Sequence, residues 1–216
     1  MHLVVPDQRG VGDSTKPADG YSLTDAARDV VALLDVLGIE TCWLVGTSSG
    51  GYLAQHIAVD HSDRLCGMVL VGSPSNLQKP LPVPLVEVLS SFHDPVTRED
   101  MDALNGALPL HSPVPDSFIE DQMAAALTIP KHVWRATIEG LFEAVPPIER
   151  GSIEVPTLIL WGAEEDVLPA DQADDLRAAI DGSRLVTYEG AGHLVLWEQP
   201  ERVARDIVDF IMTSSA

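Results

Sequence analysis

The stretch CWLVGTSSGGYLAQHIA, residues 42–58, joins an apolar run to a helical pattern through two adjacent serines between glycines. Ser48 has glycine both two residues before and two residues after it, whereas Ser49 has Thr47 and Gly51 at those places. On a sharp strand-to-helix turn, a side chain at either place would crowd the strained backbone of a nucleophile. The pattern therefore predicts that Ser48 is the nucleophile, with a mere glycine-rich turn as the alternative.

Strands and helices alternate on both sides of this turn. Apolar runs that predict strands are HLVVPD (residues 2–7), TCWLV (41–45), LCGMVLVGS (65–73), VPTLILWG (155–162) and SRLVTYEG (183–190). Helical patterns occupy residues 22–37, 50–60, 169–180 and 199–211, and the first has Ser22 and Asp25 as a capping box and Gly38 as a left-handed cap. Because the strands are continuous apolar runs, we expect an α/β fold with a mostly parallel sheet, covered by helices on both faces.

One region breaks this alternation. Residues 76–150 contain no strand-like run, and proline clusters divide them into helical pieces such as PDSFIEDQMAAAL and KHVWRATIEGLFEAV. We predict that residues 76–150 form a helical cap inserted into a core of residues 1–75 and 151–216. Met123, Trp134 and Phe142 of this cap are candidates for the wall of an apolar substrate pocket, and packing of the cap on the core would explain the same stripe equally well.

The composition narrows the class of protein. With 33 acidic and 13 basic residues the net charge is −20, and such a surface repels nucleic acid and anionic lipid. No stretch approaches the ~20 apolar residues that span a bilayer, and the first residues lack the basic and apolar regions of a signal peptide. We expect a cytoplasmic protein with a small-molecule substrate and no nucleic-acid or membrane partner, while its oligomeric state stays open.

A serine hydroxyl needs a base, and the base needs an orienting acid. Of the seven histidines, His193 stands out because it follows the last predicted strand in a glycine-flanked loop, GAGHLVLWEQPERV. His56 and His61 lie five residues apart in or at the end of a predicted helix, so they share no face. No pair of histidines has metal-ligand spacing with a third partner. We therefore expect His193 to be the base, and we expect neither a metal nor a cofactor.

Four segments together resemble the motifs of the α/β-hydrolase superfamily, in its cap-bearing, esterase-like branch. They are PDQRGVGDSTKP, VGTSSGG, VPTLILWGAEEDVLP and GAGHLVLWEQPERV, and they place serine, acid and histidine in the order that this family uses. The resemblance covers about residues 3–73 and 153–211. It implies a serine hydrolase that cleaves a carboxylic ester or lactone of a small, partly apolar substrate through an acyl-enzyme, with the backbone N–H of Ser49 as an oxyanion donor.

The same resemblance points to the acid. Relatives carry it three residues after the glycine of WG and four before a proline, and both anchors, Gly162 and Pro169, select Glu165. Asp166 stands next to it. Glutamate is one methylene longer than aspartate, so both carboxylates stay candidates for holding His193.

Two other functions fit this resemblance: a carbon–carbon bond hydrolase of a diketone-type substrate, and an inactive or ligand-binding member. The resemblance begins at the family's fourth strand, so strands 1–3 and the loop that supplies a second oxyanion donor are expected to be missing. We therefore expect a fragment of a longer hydrolase, with impaired activity. The alternative is a shortened protein in which residues 2–7 close up against residues 41–45, or in which a partner chain fills the gap.

Overall fold

The computed structural model describes residues 2–214, and within them a four-stranded sheet runs in the order β1-β2-β3-β4. All three pairs of neighbouring strands are parallel. The strands are β1 (Cys42–Thr47), β2 (Leu65–Val71), β3 (Thr157–Gly162) and β4 (Arg184–Tyr188). Because parallel strands need long crossover connections, helices must join them.

One helix precedes the first strand, and the others lie between the strands and after the last one. They are α1 (Leu23–Leu37), α2 (Ser49–Asp60), α3 (Leu85–Ser91), α4 (Arg98–Gly106), α5 (Asp116–Ala126), α6 (Lys131–Glu143), α7 (Pro147–Arg150), α8 (Gln172–Ala179), α9 (Val195–Glu198) and α10 (Pro200–Ser214). Among residues 2–214, none of the helices has both the length and the apolar character that crossing a membrane requires.

Helices cover both faces of the sheet. Successive side chains of a strand point to opposite faces, so Leu70 and Ile159 join an apolar cluster with α2, whereas Val71 and Leu160 join another cluster with α10. All residues of β3 are buried, and so are all residues of β2 except Cys66. This burial explains why the strands are continuous apolar runs, and it confirms the predicted α/β fold with a mostly parallel, doubly covered sheet.

Helix α1 has both predicted caps. The hydroxyl of Ser22 accepts a hydrogen bond from the backbone N–H of Asp25 at 3.1 Å, and the Asp25 carboxylate accepts one from the Ser22 N–H at 3.3 Å. Gly38 ends the helix with φ 65°, in the left-handed region that glycine adopts without strain. These local signals fix both ends of the helix.

The prediction of a strand at HLVVPD is wrong. Residues 2–7 have no regular secondary structure and all are exposed, with Leu3 at 78% and Val5 at 81%. An apolar run becomes a strand only where a neighbouring strand accepts its hydrogen bonds. Within the described residues β1 pairs only with β2, so residues 2–7 do not close up against it.

Helices α3 to α7 fill the chain between β2 and β3. Residues 76–150, all of them described, contain no strand, and α3 to α6 share an apolar cluster around Phe92 and Met101. Other helical residues, among them Leu141 and Phe142, pack instead against the main core. We retain the division into a core of residues 1–75 and 151–216 and a cap of residues 76–150 as a proposal.

A buried histidine makes the stability of the fold depend on pH. His56 of α2 is 4% exposed, and its Nδ1 accepts a hydrogen bond from Arg150 at 2.8 Å. Burial, then the charge of Arg150, lower the pKa of His56, while Asp60 opposes them. The imidazole of His56 therefore takes up a proton more readily in the unfolded chain than in the folded one. The contribution of neutral His56 to the free energy of unfolding is complete above the unfolded pKa of about 6.5, and it is lost as the pH falls through the lower folded pKa.

We therefore expect the melting temperature to fall between pH 7 and pH 5, and expect His56→Gln to reduce this fall. Glutamine can still accept from Arg150 but does not titrate. His2→Gln is the matched control, because His2 is exposed. Equal slopes of melting temperature against pH in all three proteins would contradict the assignment.

Candidate active site

Ser48 occupies the turn between β1 and α2. Its φ is 49°, and among residues 2–214 it is the only non-glycine residue with a positive φ. Its ψ of −120° lies outside the left-handed helical region, so the conformation is strained for a side chain with a Cβ. The N–H of Ser48 donates to the carbonyl of Val71 at 2.9 Å, which fastens the turn to β2. Such strain, held by its surroundings, is typical of functional positions.

Close backbone packing explains one of the two glycines that the sequence pattern singled out. A Cβ on Gly46 would overlap the backbone of Gly50 and Gly51, where α2 begins. The expectation that Gly50 is equally crowded is wrong, because a Cβ there would meet no atom within 4 Å apart from its chain neighbours and the backbone of its own helix. The second crowded position is Gly51, whose Cβ would overlap the side chain of Ser73. The turn thus favours glycine at positions 46 and 51, whereas position 50 has space for a side chain.

This difference gives a matched pair of substitutions. Gly46→Ala is expected to lower the free energy of unfolding by about 1–3 kcal/mol, because backbone must move to admit the methyl group. Gly50→Ala is expected to raise it by about 0.5–1 kcal/mol, because alanine loses less entropy in a helix. Urea unfolding of both variants measures the two effects. Destabilisation of the same size in both would contradict the packing described here.

The loops after β3 and β4 bring an acid and a histidine to Ser48. The Nε2 of His193 lies 2.9 Å from the Oγ of Ser48, and its Nδ1 lies 2.8 Å from Oε2 of Glu165. The side chains of His193 and Glu165 are 4% and 2% exposed. Parallel strands place their carboxyl ends at one edge, which is why these distant segments meet there.

Glu165, rather than Asp166, faces His193. Its other oxygen, Oε1, accepts hydrogen bonds from the backbone N–H groups of Val167 and Leu168, at 2.8 and 3.0 Å. The carboxylate is therefore held on both sides. Asp166 points elsewhere, and its Oδ2 lies 3.2 Å from Nε2 of His111. Of the two candidate acids, the structure brings only Glu165 within hydrogen-bonding distance of His193.

The direction of these hydrogen bonds follows from the chemistry of the groups. An ionised carboxylate can only accept, so the Nδ1 of His193 carries the hydrogen that points to Glu165. Nε2 is then free to accept the hydrogen of the Ser48 hydroxyl. An imidazole in this state can remove the proton from the hydroxyl as its oxygen attacks a carbonyl carbon. The arrangement matches that of a nucleophile, a base and an orienting acid.

The predicted oxyanion donor lies beside the nucleophile. Ser49 is the first residue of α2, and the first N–H groups of a helix have no acceptor within it. The N-terminus of a helix also carries a partial positive charge. The backbone N–H of Ser49 can thus donate a hydrogen bond to an oxygen that becomes negatively charged next to Ser48.

The three predicted pocket residues lie apart in two apolar clusters. Met123, which is 5% exposed, is part of the cluster that α3 to α6 share, and Trp134 packs against it. The ring of Trp134 meets Phe92 edge to face at 5.6 Å, while Phe142 packs against the main core. Packing therefore accounts for these contacts, and a role of the three in substrate binding stays a prediction.

Sequence reasoning missed the residues that support the loop of His193. A Cβ on Gly72 would lie 2.7 Å from the carbonyl oxygen of His193, so the end of β2 approaches this loop closely. The carboxylate of Glu198 is 8% exposed and bonds to the backbone of the same loop. The available signal was an acidic residue at the end of the apolar run LVLW. Among residues 2–214, no three His, Cys, Asp or Glu side chains are grouped as metal ligands would be.

This fold and site define an α/β hydrolase. The sequence model of the alpha/beta hydrolase family matches residues 2–206, which is most of the chain, and the chain belongs to this family. The recognition of the family from four motifs is thereby confirmed. Membership establishes a hydrolytic enzyme class with small-molecule substrates.

Individual relatives are 22–30% identical to this chain in sequence. The 2-hydroxy-6-oxo-6-phenylhexa-2,4-dienoate hydrolase of Comamonas testosteroni is 27% identical over 197 residues, which are 86% of this chain and 68% of the relative. The solved structure of an esterase from Exiguobacterium antarcticum superposes with a TM-score of 0.81 at 22% identity, covering 95% of this chain and 80% of that one. An N-acyl homoserine lactone degrading enzyme, Est816, is 30% identical with a TM-score of 0.73, covering 94% and 80%.

Proposed function

We propose that this protein is a serine hydrolase that cleaves a carboxylic ester or lactone of a small, partly apolar substrate. One observation carries the proposal: an unbroken chain of hydrogen bonds, 2.9 and 2.8 Å long, links Ser48 through His193 to Glu165. The strained φ of Ser48 adds support, since it aims the hydroxyl out of the turn. No step of this reaction requires a metal or a cofactor.

The mechanism has two halves. In the first, His193 removes the hydroxyl proton of Ser48 while the Oγ of Ser48 attacks the carbonyl carbon of the substrate. The N–H of Ser49 stabilises the negative charge that develops on the carbonyl oxygen. His193 then gives the proton to the departing alcohol, which leaves an acyl group on Ser48. In the second half, His193 takes a proton from water, the hydroxide attacks the acyl carbon, and the acid is released as Ser48 regains its proton. Glu165 keeps the imidazole oriented throughout.

The relatives support two bond types. The lactone-degrading enzyme, at 30% identity, favours attack on an ester-like carbonyl. The dienoate hydrolase, at 27% identity, favours an alternative in which the chain hydrolyses a carbon–carbon bond of a diketone-type substrate. The hydrogen-bonded chain at Ser48 is compatible with either reaction, so turnover of defined substrates must distinguish the two.

Parallel turnover assays separate these functions. We expect release of p-nitrophenol from p-nitrophenyl acetate and butyrate, and no release by Ser48→Ala. Turnover of 2-hydroxy-6-oxo-6-phenylhexa-2,4-dienoate without turnover of the esters would replace the proposal by the carbon–carbon alternative. Failure of folded protein to act on esters, lactones or the dienoate would favour an inactive or ligand-binding member.

A further inference from the structure

A buried carboxylate that the proposed reaction does not use holds the loop of His193. Glu198 ends the short helix α9 and is 8% exposed. Its Oε2 accepts a hydrogen bond from the backbone N–H of Gly192 at 2.6 Å. A hydrogen bond to an ionised acceptor is stronger than one between neutral groups. The backbone is thereby fixed one residue before the imidazole that bridges Ser48 and Glu165.

The other oxygen of Glu198 faces the segment between α4 and α5. Oε1 accepts hydrogen bonds from the backbone N–H groups of His111 and Ser112, the latter at 3.1 Å. The hydroxyl of Ser112 also donates to the carbonyl of Gly190. A single carboxylate therefore joins residues 111–112 of the proposed cap to the loop at residues 190–193.

Ring contacts extend this junction on both sides. The imidazole of His111 covers Gly192, where a Cβ would lie 2.5 Å from its Cδ2, and its Nε2 reaches Asp166. Phe118 of α5 meets Trp197 of α9 edge to face, with ring centroids 5.3 Å apart. Movement of residues 111–112 would therefore disturb the loops after both β3 and β4.

The junction needs two acceptor oxygens. Each carboxylate oxygen of Glu198 serves a different part of the chain, and backbone N–H groups are the donors on both sides. Glutamine has nearly the same shape but only one acceptor, so its NH2 group would face an N–H donor on one side. Aspartate keeps both acceptors but is one methylene shorter.

We propose that Glu198 is a positioning residue, which joins the segment at residues 111–112 to the loop of His193 and so keeps His193 between Ser48 and Glu165. This inference rests on the proposed function, because it assigns Glu198 to the same site. It makes the cap segment a structural partner of the base, although residues 111–112 lie far from His193 in the sequence.

The test compares Glu198→Gln with wild type and with Glu201→Gln, a matched control at an exposed position three residues further on. With p-nitrophenyl acetate, well below the melting temperature, we expect Glu198→Gln to lower kcat by about 10²-fold with little change in KM, since misplacement of a catalytic group costs about this much. Glu198→Asp is expected to recover part of the loss. Hydrogen exchange should accelerate at residues 111–112 and 190–194 only.

The two readouts distinguish this inference from the proposed function. If wild type hydrolyses neither esters nor lactones, the proposed function fails, and hydrogen exchange alone decides the role of Glu198. Wild-type kcat together with wild-type exchange at both segments would overturn the inference. Faster exchange throughout the chain would also overturn it, because that result describes general destabilisation. If Glu198→Gln does not fold, Glu198→Asp undergoes the same comparison.

Discussion

Ser48→Ala is expected to lower kcat for a hydrolysed ester by about 10⁶-fold, the loss typical when the nucleophile of such a site is removed. The Oγ of Ser48 is the atom that faces Nε2 of His193, at 2.9 Å. Without it the base has no hydroxyl to activate. Initial rates over a range of ester concentrations, measured on purified variant and wild type, give the ratio.

Ser49→Ala is the matched control for this substitution. Ser49 is exposed, and the proposed mechanism uses only its backbone N–H. The variant should therefore retain much of the wild-type kcat. If Ser49→Ala were the inactive variant and Ser48→Ala the active one, the assignment of the nucleophile would be wrong.

Glu165→Gln is expected to lower kcat by about 10⁴-fold, since loss of an orienting carboxylate can cost this much. Oε1 of Glu165 accepts two backbone hydrogen bonds, and Oε2 faces His193. Glutamine can satisfy only one of these sides, and its NH2 group on the other cannot accept the hydrogen on Nδ1. Steady-state kinetics on a folded variant, checked by circular dichroism, measures the effect.

Asp166→Asn provides the comparison. The Oδ2 of Asp166 contacts His111 rather than His193. We expect a much smaller loss of kcat than in Glu165→Gln. The reverse ranking of the two variants would make Asp166 the orienting acid and contradict the geometry described above.

The sequence was sufficient to predict most of the fold, because its signals are local. The capping box at Ser22 and the glycine at position 38 bound α1, and the continuous apolar runs of β2 and β3 report burial on both faces. The exception was HLVVPD. Its apolar character predicts a strand, but a strand depends on hydrogen bonds from a neighbour, and no property of residues 2–7 themselves reveals whether one is present.

The candidate site was predictable in part for the same reason. Ser48 follows from glycines in its immediate neighbourhood, and the structure brings Ser48, His193 and Glu165 together, while their catalytic roles stay predictions. The free space beside Gly50 and the hydrogen-bond partners of Glu198 could not be foreseen. They depend on contacts between segments that are distant in the sequence, such as Ser112 with Glu198.

Labelling by a fluorophosphonate probe, followed by mass mapping of peptides, tests the central claim most directly. The probe forms a stable bond only with a serine that a neighbouring base activates, so it reports nucleophile and base together without a known substrate. We predict one adduct per chain, on Ser48, and none in His193→Ala. An adduct on Ser49, or no adduct on folded wild-type protein, would contradict the account.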